Sequence, residues 1–85
     1  MATKGDLAKW LAEAVRANNG RASIAKVFRQ AWTTHEGELR RSGDLFFTWQ
    51  YDIRWAATEL RKEGVLRSAA SSPKGIWELA ERPMG

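Results

Sequence analysis

Chemistry that depends on a nucleophile or a bound metal finds almost nothing to work with in this chain. There is one histidine, His35, and no cysteine, so neither a histidine-rich nor a thiolate metal site can be assembled. No phosphate-binding glycine loop, GxSxG elbow or dinucleotide fingerprint occurs. Glu36 and Glu38 lack the neighbouring lysine and strand context of a metal-dependent nuclease centre. The side chains left to act are the cations. Fourteen Lys and Arg against ten Asp and Glu give a formal charge of +4 and a pI near 10.0, and nine of the fourteen are Arg. Arginine is the better ligand for phosphate and guanine. A basic balance points to a polyanion, usually nucleic acid. No catalytic residue, cofactor or small-molecule substrate is expected.

The densest candidate is "WQYDIRWAATELRK", residues 49–62. At about 100° per residue, Trp49, Ile53, Ala56 and Leu60 form one helical face. Gln50, Tyr51, Arg54, Thr58 and Arg61 then point away from it, with Lys62 beside Trp55 on a flank. A helix in the DNA major groove uses such types: Arg for guanine, Gln for adenine, methyl or aromatic groups for thymine. The plainer alternative is a solvated face on which Arg54 pairs with an acid such as Glu59.

Three further basic groupings accompany that face. "RSAASSPKG", residues 67–75, carries Arg67, Ser71, Ser72 and Lys74. These suit phosphate or minor-groove contacts, or simply a polar turn. Arg21, Ser23 and Lys26 surround the start of a helix, where the dipole favours a phosphate. Ser23 would serve there first as the helix cap. Arg40 and Arg41 offer one more backbone contact, or a solvated pair.

The elements that must position these groups follow from periodicity and punctuation. Thr3 and Asp6 form a weak capping box before Leu7, Trp10, Leu11, Ala14 and Val15, which predicts a helix from about Lys4 to Ala17. Asn18-Asn19-Gly20 supplies its left-handed end. Ser23 caps a second helix with Ile24, Val27, Phe28, Ala31 and Trp32 inward, ending near Thr34, where two β-branched residues, His35 and then Gly37 oppose continuation. The bridge between the two helices has room for one short strand.

Residues 36–47 show no clean period and read as a long connection with one helical turn. Its Leu39, Leu45, Phe46 and Phe47 need cover. Thr48 is the expected cap of the third helix, and Gly64 its end. "VLRSAA" and "IWELA" read as two strands around "SSPKG", a hairpin, with Trp77 in the core. "ERPMG" reads as a loose tail.

The chain is thus expected to be a single domain over residues 1–85, with an ordered core of about 4–80. No stretch approaches the roughly 18 apolar residues of a membrane span, and the start has no signal-like apolar run. Together with the missing cysteines, this fits the cytoplasm.

The order helix, strand, helix, helix, hairpin is that of a small α+β winged helix-turn-helix, apart from a longer link before the third helix. "WAATELRKEGVL" followed by "GIWEL" resembles the N-terminal winged-helix domain of Mrr-type restriction endonucleases. Trp55, Ala56, Leu60, Gly64, Leu66, Gly75, Trp77 and Leu79 carry the resemblance, and the long link with Ser42-Gly43 adds to it. It spans residues 21–80 and is specific over 55–79. The resemblance implies a DNA-binding module that delivers a separate nuclease domain to DNA, often modified DNA. It also places a tryptophan at Trp55 beside the hairpin, so Trp55 is expected to be covered by the wing or by the first helix, leaving Tyr51 as the exposed aromatic. Double-stranded DNA is therefore the expected partner. A winged helix used for protein–protein contacts is the alternative, since this fold serves both.

Overall fold

The computed structural model describes residues 2–80. The element order is α1 (Lys4–Ala17), β1 (Arg21–Ser23), α2 (Ile24–Arg40), α3 (Leu45–Lys62) and β2 (Ile76–Glu78), with a 3₁₀ turn over Ala69–Ser71. It is a small α+β domain. The expected loose tail lies outside the described residues. Among the described residues, no helix is long and apolar enough to cross a membrane.

Helix α1 forms as its sequence predicts. Asp6 donates its backbone N–H to Thr3 Oγ1 at 3.3 Å, and the Thr3 N–H returns a bond to Asp6 Oδ2 at 3.0 Å, a complete capping box. Leu7, Trp10, Leu11, Ala14 and Val15 are buried. The helix closes where the Gly20 N–H reaches Val15 O at 2.9 Å, with Asn19 and Gly20 both at positive φ.

Helix α2 corrects the expected boundary. It does not stop near Thr34 but continues to Arg40, with a kink at His35 (φ −123°, ψ 22°). The local signals against helix at Thr33, Thr34 and His35 were physically sound, and they surface as that kink. Tertiary packing outweighs them: with the helix resumed, Leu39 is fully buried. At the kink, the His35 ring stacks on Trp10 of α1 at 3.8 Å with planes 5° apart.

The long connection is therefore absent. Residues 41–44 alone join α2 to α3, the length of an ordinary helix–turn–helix link. Gly43 turns the chain at φ 60°. Ser42 is buried; its Oγ donates to Glu38 O at 2.6 Å and accepts the Ala2 N–H at 2.9 Å. One hydroxyl thus ties the chain start to the turn.

Helix α3 starts at Leu45, three residues before the expected cap. Thr48 lies inside it and donates to Asp52 Oδ2 at 2.8 Å. Extra turns form because Leu45 packs on the core and the Phe46 ring lies 6.1 Å from Trp32. Phe47 finds no cover: it is 81% exposed. Trp49, Ile53, Ala56, Ala57 and Leu60 are buried as predicted. Gly64, at φ 80°, ends the helix and lets the Val65 N–H bond Leu60 O at 2.9 Å.

The sheet is two-stranded and antiparallel, pairing Arg21 with Glu78, Ala22 with Trp77 and Ser23 with Ile76. Residues 65–80 do fold back on themselves. Their ladder, however, is a single bridge, Leu66 to Leu79, flanked by Arg67 N–H to Glu78 O and Ala80 N–H to Val65 O, both 2.9 Å. "VLRSAA" is thus no full strand, and the 3₁₀ turn takes up its second half. Trp77 is buried against Ala22 and Phe28, as expected.

Candidate nucleic-acid interface

Both α1 and α2 pack against the stripe of α3 centred on Ile53, so residues on the far side of α3 must face outward. Phe47, Tyr51 and Trp55 recur every fourth residue there and are 81%, 64% and 53% exposed, the three large apolar side chains most open to solvent among the described residues. Trp55 corrects an expectation. It is not covered by the arm of residues 65–80, which is anchored on β1 and on the end of α3. Helix α1 borders only its edge, through Lys4, Gly5 and Ala8. Its ring meets Tyr51 edge-on at 6.4 Å.

The predicted reading face divides in use. Gln50 is exposed. The Arg54 guanidinium lies 5.6 Å above the Phe28 ring of α2, so it does not pair with Glu59; Glu59 takes Lys62 instead, at 3.6 Å. With Tyr51, Trp55 and Thr58, Arg54 frames a shallow cup of about 240 Å³. Thr58 is half-buried and donates to Arg54 O at 3.4 Å. Arg61 is half-buried too, its Nε donating to Arg67 O at 3.2 Å, so it braces the arm. Gln50, Tyr51, Arg54 and the exposed Lys62 remain outward.

The arm lies where α2 begins. The Ile24 N–H donates to Gly75 O at 3.0 Å, which brings Lys74 beside the α2 start. Arg67 and Lys74 are exposed. Ser71 Oγ accepts from Ser68 Oγ at 3.0 Å, whereas Ser72 Oγ is buried without a partner. Ser23 does cap α2, accepting the Lys26 N–H at 3.1 Å. Arg21 sits 4.0 Å from Glu78 across the sheet. Lys26 does not join the others. Phe28 and Trp32 turn towards Trp49 of α3, and at about 100° per residue Lys26 falls roughly opposite that face, so it points away from α3.

Arg40 and Arg41 stand at the other end of the molecule. Arg40 pairs with Glu36 at 2.8 Å and covers Trp32 and Phe46 at 5.3 and 6.0 Å. Arg41 follows α2, its guanidinium beside Gly37. With 18 residues, α3 spans about 27 Å, which separates this pair from Arg67.

One cation escaped sequence reasoning. Arg29, exposed on α2, lines a cleft with Gln50 of α3. The signal was its place between Phe28 and Trp32, aromatics that had to face the next helix.

The charges around α3 divide between its two edges, with the acids and their lysine partners on one of them. Arg54, Arg61, Arg67 and Lys74 follow the edge nearer α2 and the arm. Asp52 and Glu59 border the α1 groove, where Lys4 lies 4.0 Å from Asp52. Among the described residues, no group of three or more His, Asp or Glu could hold a metal ion. The chain matches no protein-family model, no curated protein and no solved structure.

Proposed function

We propose that this domain is a duplex-DNA-binding module of the winged helix-turn-helix kind. The observation that carries the reading is that α3 keeps Gln50, Tyr51 and Arg54 outward while the arm sets Arg67 and Lys74 at its end, on the edge nearer α2. Helix α3 would enter the major groove and the arm would touch flanking phosphates. The strand arrangement supports this: β2 is flanked by β1 on one side and by the Leu66 bridge on the other, and the four-residue turn suits a helix-turn-helix. That turn also removes the long link from the likeness to Mrr-type domains, which then rests on residues 55–79. Delivery of a separate nuclease domain, to modified DNA among other targets, and a cytoplasmic setting belong to the same proposal.

Titration of a mixed-sequence duplex at two ionic strengths tests it. Affinity should fall steeply with salt as counterion release weakens; no binding at low salt would sink the reading.

A second reading, a protein-interaction winged helix, is favoured by one observation, the exposed ridge of Phe47, Tyr51 and Trp55. Exposed aromatics of this kind anchor interfaces. Binding of a protein partner that Phe47→Asp abolishes, together with no duplex binding at low salt, would support it.

A further inference from the structure

Between α2 and α3 lies an open cleft of about 430 Å³, lined by Phe28, Arg29, Trp32, Phe46, Trp49 and Gln50, within the roughly 300–1,000 Å³ range of ligand sites. Its walls are aromatic from both helices. Phe28 meets Trp49 edge-on at 5.7 Å, and Trp32 runs nearly parallel to Trp49, 13° apart with centroids at 6.3 Å. Trp49 is the buried floor, while Phe28, Trp32 and Phe46 keep part of their surface open. Core packing alone does not need these rings left half-covered beside solvent.

One guanidinium lines the cleft and two more lie over its rings. Arg54 lies over Phe28 and Arg40 over Trp32 and Phe46, while Arg29 stands exposed on its wall. The one carboxylate among these contacts is Glu36, which pairs with Arg40. The fitting ligand is flat and π-rich on one side and anionic on the other. A nucleotide has that form. Inside a continuous duplex both faces of each base are already stacked, so these rings could take only a base that has left the stack. The Gln50 amide supplies a donor and an acceptor for its edge.

We propose that the α2–α3 cleft holds one unpaired nucleotide, its base against Phe28, Trp32 and Phe46 and its phosphate on Arg29. The proposal rests on the nucleic-acid reading above and narrows it. The domain would then prefer a duplex carrying an unpaired nucleotide to a continuous one.

The test uses the full chain and three DNAs: a continuous duplex, the same duplex with one central bulged 2-aminopurine, and a short single strand containing 2-aminopurine. The bulged duplex should bind about fivefold or more tighter than the continuous one, from the stacking of one base, and its fluorescence should be quenched on binding. Arg29→Ala should bring the ratio towards unity. Trp32→Leu, checked for folding by circular dichroism, should abolish the quenching. Lys74→Ala should weaken both duplexes in parallel and leave the ratio unchanged. Equal affinity for the two duplexes without quenching overturns the cleft and leaves the duplex reading standing. Quenching of the single strand with no duplex binding keeps the cleft and overturns the duplex reading. Displacement of the single strand by an acidic tyrosine-containing peptide at lower concentration assigns the cleft to a protein ligand and overturns the proposal.

Discussion

At the scale of single residues, Arg54 and Lys74 divide the work of binding by where they sit. Arg54 projects from the outer flank of α3 over Phe28, whereas Lys74 stands at the tip of the arm beside the α2 start. Arg54→Ala should therefore lower discrimination between sequences by about 1–3 kcal/mol if the guanidinium is bidentate to a base. Lys74→Ala should weaken all duplexes alike. Competition between matched and mismatched duplexes separates the two, and equal loss of specificity from both would refute the division. Phe47 gives a different test. Being 81% exposed, it contributes little to the core, so Phe47→Asp should change unfolding free energy by no more than about 0.5 kcal/mol. A larger loss in urea titration would mean that the ring is covered. Ser42 is the opposite kind of residue, buried and holding two hydrogen bonds. Ser42→Ala leaves the Ala2 N–H without its acceptor and should cost about 1–3 kcal/mol.

At the scale of elements, the boundary of α2 matters most, because it sets where α3 begins. Leu39 reports on it directly. In the helix it is fully buried, so Leu39→Ala should cost about 2–5 kcal/mol by denaturation. The stop signals at Thr33, Thr34 and His35 are legible and real, but burial offsets them. Residue preferences against helix at these positions and Gly37 sum to roughly 2–3 kcal/mol, and burial of Leu39 at about 1.5–3 kcal/mol together with the Trp10–His35 stack offsets them. The same balance moves the start of α3 back from Thr48 to Leu45, where Leu45 and Phe46 find partners in the core and on Trp32. Helix α1 needed no correction. Its capping box, apolar stripe and glycine end all agree locally with the tertiary outcome.

At the scale of the whole molecule, function depends on how charges from separate elements add. Arg29, Arg54, Arg67 and Lys74 are exposed on α2, α3 and the arm. If Arg29, Arg67 and Lys74 each neutralise one phosphate, the logarithm of affinity should fall against the logarithm of salt with a slope of about −3. A slope near zero would detach these cations from binding. The net charge of +4 is readable at once, but its distribution is not, because which cations share a face depends on how the helices and the arm pack together.

The sequence by itself determined which residues share a helical face, where α1 is capped, that Gly64 ends α3, that Trp77 is core, and that the chain is basic. These depend on spacing and on residue chemistry within a few turns. Only the tertiary structure decided that α2 runs on to Arg40, that β2 takes β1 as its strand partner, and that Trp55 stands open. Each of those turns on which surfaces meet across tens of residues. No helical wheel can say whether a neighbour arrives to cover a tryptophan, and here α1 and α2 converge on the Ile53 stripe, leaving the opposite ridge to solvent.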